Sequence, residues 1–344
     1  MKKSLLAMVA ALACASAAHA QSTVQISGLV DVYAGSMRLA GSPERTGTVG
    51  SGGMTTSWLG FFGKEDLGGG LKAEFALSSF LRADVGNLGR YDGDPAFSRD
   101  ANVALSGGFG TLRVGRSMAP NFLPTILTNP YGDSFTLSPL VLHANIANVP
   151  AGWGFGNLTS PADTGWSNQV TYSTPSFGGL KANLHYQFGE QGGDTGKRNV
   201  GVNALYFGGP LTLVGFYENA KISNPVNPSP INTKTNWMLG GNYDFAVVKA
   251  YATYGQAEVD ATNFDARTVS LGLDLPVLNK AGTVKAAVAR TKVEGARDAT
   301  RTTSSLGYDH FLSKRTDVYA VVMHDKITDV RSGTSVVLGM RHRF

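Results

Sequence analysis

From Thr23 onward the chain alternates apolar and polar residues with a period of two. Val24, Ile26, Val30 and Val32 share one parity; Thr23, Gln25, Ser27, Asp31 and Tyr33 share the other. Leu71, Ala73, Phe75 and Leu77 alternate with Lys72, Glu74, Ala76 and Ser78, and Leu112 and Val114 with Thr111 and Arg113. Leu180, Ala182, Leu184 and Tyr186 alternate with Lys181, Asn183, His185 and Gln187. The pattern returns from Val284 to Val293, from Asp317 to Asp325 and from Val336 to Phe344. Successive side chains of a β-strand point to opposite faces, so each segment has one apolar and one polar face.

The connections alternate in length. Short ones carry turn residues: Asp66 to Gly70, Ser106 to Gly110, Pro175 to Gly179, Gly208 to Pro210 and Ser313 to Arg315. Long ones are polar: Arg38 to Thr55, Ala83 to Ala96, Gln191 to Arg198, Lys221 to Thr233 and Val259 to Asp265. Short turns at one end and long loops at the other are what a membrane barrel needs, and the segments amount to about sixteen strands, an even number. A soluble β-sandwich also shows period-two strands. Against it stand the strict alternation of loop length and apolar faces of about nine to eleven residues, enough to cross a bilayer when tilted. The predicted class is all-β: a transmembrane antiparallel barrel. One connection, Arg116 to Asn168, is about fifty residues long, and a connection of that size within a compact fold is normally functional. It is the third long loop.

Composition sharpens this picture. After the start of the chain no run of 18 apolar residues occurs, which leaves no candidate for a spanning helix. Hydrophobic residues make up 42% and Gly is 43 of 344, which suits strands that must be apolar only at every second position. Lys2 and Lys3, an apolar stretch from Leu5 to Ala18 and the small-x-small site Ala18-His19-Ala20 predict a signal peptide over 1–20, with the barrel over 21–344. Ala11-Leu12-Ala13-Cys14 is a weaker, lipoprotein-like alternative. Cys14 is the single cysteine and leaves with such a signal, so neither disulfides nor thiol chemistry are expected. Loss of Lys2 and Lys3 leaves 28 Lys and Arg against 25 Asp and Glu, a net charge of +3. No block of like charge suggests nucleic acid.

Several segments carry a family resemblance. Ser22-Thr23-Val24-Gln25-Ile26-Ser27-Gly28-Leu29-Val30-Asp31 resembles the first strand of the trimeric general porins of Gram-negative bacteria, in their beta-proteobacterial branch. Leu59 to Ala73 resembles that family's second hairpin and Leu105 to Arg116 the next. Leu312 to Thr316 with Tyr319, and the terminal Gly339 to Phe344, complete a likeness that spans the mature chain. The resemblance implies sixteen strands, a homotrimer among outer-membrane lipid and lipopolysaccharide, and a third loop folded into the lumen as a constriction. It also implies a last strand whose terminal aromatic, Phe344, is read by the outer-membrane assembly machinery. One departure stands out: where the family usually places Arg and Lys on the second strand, this chain has Trp58 and Phe62.

The chemistry of a pore is electrostatic, since charges in a narrow passage act through a lower effective dielectric than bulk water. By parity Asp31, Lys72, Glu74, Arg82, Asp100 and Arg113 face the lumen, with Asp133 of the long loop facing them. Tyr33, Trp58 and Phe62 either narrow the pore and contact solutes or pack against the inserted loop. These near-balanced signs predict weak anion preference in a passive channel for small hydrophilic solutes and ions. Tyr186, Tyr217, Tyr319 and Phe344 are candidates for aromatic girdles. No His-Glu-x-x-His, P-loop or Gly-x-Ser-x-Gly occurs, and the His residues are scattered, so no catalytic set, metal or cofactor is expected. The readings from other classes are a barrel enzyme of the outer membrane and a plugged structural or adhesive barrel.

Overall fold

A computed structural model describes residues 22–144, 165–190, 198–224, 227–259, 264–295 and 298–344. The expected signal segment lies outside them, as do residues 145–164 of the long connection and most of the polar connections around 191–197 and 260–263. The strands are β1 (Thr23–Met37), β2 (Thr46–Ser51), β3 (Trp58–Gly68), β4 (Leu71–Arg82), β5 (Asn87–Leu88), β6 (Asp100–Gly107), β7 (Gly110–Met118), β8 (Gly165–Ser173) and β9 (Leu180–Gln187). They continue as β10 (Asn199–Gly208), β11 (Leu211–Asn224), β12 (Asn227–Asp244), β13 (Lys249–Val259), β14 (Phe264–Val277), β15 (Gly282–Glu294), β16 (Ala299–Phe311), β17 (Thr316–Ile327) and β18 (Gly333–Arg343). Two short helices, α1 (Phe122–Leu127) and α2 (Pro139–Ala144), lie in the third long connection.

All these strands join one antiparallel sheet, closed where β18 pairs with β1 from Leu29↔Arg343 to Ser36↔Val336. The other edge of β1 carries two strands in line. Thr23 to Leu29 pair with Lys64 to Trp58 of β3, and Val32 to Met37 pair with Ser51 to Thr46 of β2. β2 and β3 are therefore two halves of one wall strand, interrupted at 52–57. β5 is a two-residue arm in the second long loop, paired only with Leu81 and Arg82. The wall thus has sixteen strands. Closure matters because backbone N–H and C=O groups in hydrocarbon find no water, and a barrel leaves no edge unpaired.

The stretch Arg38 to Thr55 is not one loop. Thr46 to Ser51 extends the wall, although Val49 is its single large apolar residue. Its partner β1 specifies it, because strand propensity depends on what lies alongside. In the same way β11 and β12 extend into the expected loop Lys221 to Thr233.

The two faces differ as the alternation requires. Val24, Ile26, Val103, Leu184, Leu239, Leu306 and Leu338 stand exposed on the outer parity, where they meet lipid. Buried or inward positions are polar or small: Ser78, Asn102, Asn183, Asn203, Thr253, Ala289 and Thr303. Of the girdle candidates, Tyr186, Tyr217 and Phe344 are exposed, but Tyr319 is 4% exposed and faces inward. Its pairing with Asp309 and Gly339 puts it on the lumen parity shared by Arg341. Phe344 extends the seam: its N–H donates to Gly28 O at 3.0 Å and its O accepts from Gly28 N at 3.1 Å. A Cβ on Gly28 would run into the Phe344 ring, so glycine gives the ring its place on the outer face.

The third loop leaves β7 at an irregularity. Gly115 has φ +117, and the β7–β8 register shifts between Gly115 and Ser117. A bulge of this kind bends a strand and re-aims the chain beyond it. From Ala119 the chain turns into the barrel.

Candidate functional site: the lumen

The described part of the third loop, 119–144, runs along the inner wall from β10 to β16 and passes against the interruption between β2 and β3. Wall residues hold it at each step. Asn203 Nδ2 donates to Pro120 O at 2.8 Å, and Asn121 Nδ2 donates to both carboxylate oxygens of Glu218 at 3.0 Å. Asn242 Nδ2 donates to Leu127 O at 2.8 Å, Lys285 Nζ to Pro130 O at 3.1 Å, and Tyr131 OH to Lys285 O at 3.0 Å. Ser305 Oγ donates to Leu137 O at 2.7 Å. Tyr131 and Leu137 of the loop are fully buried, clustered with Met54, Tyr319, Val321 and Val337. At the far end His143 sits between Thr291 Oγ1 and Thr303 Oγ1, each 2.8 Å away. Burial pushes its imidazole down to about 3, so it stays neutral. On the other flank Ser134 Oγ and Thr136 Oγ1 donate to Gly53 O and Gly52 O, at 2.6 and 2.9 Å.

Behind the loop the wall charges form closed pairs. Arg301 grips Asp325 with two bonds, Nε to Oδ1 at 2.9 Å and Nη2 to Oδ2 at 3.1 Å, and its Nη1 reaches Leu142 O at 3.3 Å. Arg341 pairs with Asp317 at 3.0 Å and Asp309 at 3.3 Å, and donates to Thr55 Oγ1 at 2.7 Å. Lys285 pairs with Asp274 at 3.2 Å.

The residues singled out by sequence fall into three groups. Asp31 and Tyr33 face inward but are covered. Asp31 is fully buried: Met54 N and Thr55 N each donate to Oδ2 at 2.8 Å, and Tyr319 OH donates to Oδ1 at 2.6 Å. It clamps segment 52–57 rather than lining open lumen. Tyr33 packs beside the Met54–Tyr131–Tyr319 cluster. A second group lines open space on β3 to β9. Trp58 and Phe62 meet edge to face at 6.0 Å, and Phe62, Glu74, Asp100 and Arg113 share their cavity of about 620 Å³ with Trp58. Asp100 accepts from Ser78 Oγ at 2.7 Å and pairs with Arg99 at 2.8 Å. Lys72 lies one residue from the Gly68–Leu71 turn pairing, near the short-turn mouth. The third group lies at the loop end of the wall: Arg82, the last residue of β4, pairs with Asp92 of the second long loop at 2.6 Å, and Asp133 lies half-buried where the third loop meets Thr55. Burial raises the Asp133 carboxyl to about 6, against opposing pulls from Arg341, Thr55 and Arg99.

Several lumen residues were not singled out by sequence. Arg99 stacks its guanidinium 4.2 Å over the Trp58 ring, yet it precedes β6 and sits in no alternating run. Lys64 and Lys181 line the same cavity, and phase alone places both inward. Arg301 and Arg341 also have the inward phase, but their partners lie 24 residues away, at Asp325 and Asp317, and only the fold joins them. Among the described residues no group of three or more His, Cys, Asp or Glu is placed to hold a metal.

A family model described as Gram-negative porin matches residues 6–329. The chain is 32% identical to outer membrane porin protein 32 of Delftia acidovorans over the full length of both. It is 29% identical to an outer membrane porin protein of Bordetella pertussis, again over both whole chains. Among solved structures, the anion-selective porin from Comamonas acidovorans superposes with a TM-score of 0.80 at 28% identity, covering 94% of this chain and 100% of that one. OmpT of Vibrio cholerae shares the fold at 16% identity, with a TM-score of 0.69, covering 94% of this chain and 98% of that one. A closed sixteen-stranded wall, an apolar outer face and an occupied lumen agree with these likenesses, and the chain belongs to the Gram-negative porins, the channel-forming barrels of the outer membrane.

Proposed function

We propose that this porin is a passive channel with a modest preference for anions, assembled as a homotrimer, exported by the signal peptide 1–20, and without enzymatic activity. One observation carries the preference. On the wall not covered by the third loop, the five cations Lys64, Lys72, Arg99, Arg113 and Lys181 face three carboxylates, Asp66, Glu74 and Asp100. Asp100 is already paired with Arg99. A net positive wall beside a narrow passage raises the local concentration of anions. The comparison with an anion-selective porin supports the same sign. The field is screened over about 8 Å at physiological salt, so the preference is modest there and larger at low salt.

The reversal potential of the reconstituted protein under a KCl gradient tests the reading. The expected sign is that of chloride preference, growing as both solutions are diluted. A cation-selective pore, or no pore, rejects it. Assembly is tested at Phe344, whose backbone closes the seam against Gly28. Phe344→Ala is expected to reduce trimer in the outer membrane. Accumulation at wild-type level as heat-modifiable trimer would contradict the assigned role.

A further inference from the structure

We infer that the cavity below the third loop is a binding slot for small aromatic carboxylates, a reading that rests on the channel function proposed above. The cavity is open to the lumen and holds about 620 Å³, enough for a single-ring solute. Its lining is divided. At one side stand the rings of Phe62 and Trp58, the latter with the Arg99 guanidinium stacked 4.2 Å over it, and Leu123 of the third loop also lines the cavity. At the other stand Arg113 and Lys181, which make no ion pair among the described residues.

Register gives the slot its width. Phe62 of β3 pairs with Ala76 of β4, and Ala76 pairs with Asn102 of β6. These three lie on one rung with the same inward parity. Arg113 reaches across from β7 and donates Nη1–H to Asn102 Oδ1 at 2.6 Å, which places its guanidinium at the Asn102 position. Two strand spacings, about 10 Å, therefore separate the Phe62 backbone from that guanidinium. Between them projects only the methyl group of Ala76. A benzoate-sized solute spans such a gap, its ring against Phe62 and its carboxylate on the remaining donors of Arg113. A planar guanidinium pairs with a carboxylate through two parallel N–H donors. Glu74, one rung nearer the short turns, opposes Lys64 on β3 and accepts from Ser106 Oγ at 2.9 Å. Its charge is thus balanced locally, while Lys181 adds positive potential. An aliphatic acid gains the guanidinium but not the ring; an aromatic cation gains the ring but meets Lys64, Arg99, Arg113 and Lys181.

The test has two independent readouts. Isothermal titration of the detergent-solubilised protein with sodium benzoate, sodium acetate and benzylammonium chloride measures binding whether or not the protein conducts. Benzoate is expected to bind about tenfold more tightly than acetate, the scale of one aromatic contact, and benzylammonium more weakly than either. Phe62→Ala is expected to bring benzoate down to the acetate level without changing acetate. Arg113→Gln should weaken both acids, and Ala76→Leu should exclude benzoate by filling the slot. All variants share one detergent, so partition into micelles cancels in the comparison. Equal affinity for benzoate and acetate in the wild type overturns the slot, as does a Phe62→Ala variant that keeps full preference for benzoate. Single-channel current in KCl alone judges the channel reading: a conducting pore with no benzoate preference rejects only the slot, and a protein that binds benzoate but never conducts rejects only the channel.

Discussion

The two halves of the inner wall use the same side chains to opposite ends. Behind the third loop, from β10 round to β18, nearly every charge is matched: Arg301 with Asp325, Arg341 with Asp309 and Asp317, Lys285 with Asp274. Arg301 and Asp325 keep 4% and 1% of their side-chain surface. Desolvation there is large, and only tight pairing with further hydrogen bonds offsets it. Asp325 meets that condition with Arg301, Thr303 Oγ1 at 2.6 Å and Ala40 N at 3.1 Å. On the bare half, β3 to β9, Lys64 and Lys181 are exposed and Arg113 is hydrogen-bonded to an amide. Charges in water contribute little to stability. They are available to act on passing ions. A charge under the loop builds the channel; a charge beside it sets what the channel passes.

Cutting a covered pair should show the largest effect. Arg301→Ala leaves Asp325 buried without its counter-ion, at a cost of about 3–5 kcal/mol. Arg113→Gln on the bare wall should cost under about 1 kcal/mol. Urea unfolding of the two variants, followed by tryptophan fluorescence, checks the contrast; similar losses would dissolve the distinction between the halves. Next in size is the loop itself. Deleting part of 122–137 removes Tyr131 and Leu137 from the lumen and should raise single-channel conductance. A folded channel with unchanged conductance would mean that the passage is narrowed elsewhere.

Selectivity should respond mainly to the bare half. Lys181→Glu is expected to shift the reversal potential toward cations, and Trp58→Arg toward anions. Both shifts should shrink at high salt as screening tightens. Lys285→Gln, on the covered side, should move stability more than reversal potential. The smallest effect concerns pH. Burial raises the Asp133 carboxyl to about 6, so it is charged at pH 7 and largely protonated at pH 5. Loss of that negative charge should strengthen anion preference as the pH falls across this window. Asp133→Asn should show the strengthened preference at both values, and a pH step that persists in Asp133→Asn would assign it to another group.

The wall was legible in the sequence because a period of two is a local property. The inward phase of Asp31, Glu74 and Arg113 follows from neighbours two residues away, and the third loop declares itself by length. What could not be read depends on distant partners. Thr46–Ser51 becomes strand because β1 lies beside it, not because of its own glycine-rich pattern. Parity placed Asp31 and Tyr319 on strands far apart but could not reveal that one clamps segment 52–57 with the other's hydroxyl at 2.6 Å. Arg99 was missed because stacking on Trp58 joins the flank of one strand to the face of another. Weak anion preference came from a near-balanced count that took Asp31 as open lumen; with Asp31 covered and Lys64, Lys181, Arg99 and Asp66 added, the bare wall carries a positive excess that count lacked.

The seam between β1 and β18 also imposes an order of events. Its hydrogen bonds join Gly28 to Phe344, among the most distant positions of the fold, while every other wall pairing joins neighbours in sequence. Local hairpins can form early, but a contact of this separation must wait for the entropy of a very long loop to be overcome. Until then β1 and β18 each present a bare edge to any other chain nearby, the condition under which strands pair promiscuously. The pairing of the last strand with the first is therefore a lock whose late closure makes a protected intermediate necessary, and a cell that exports this chain must shelter two raw edges for as long as the seam stands open.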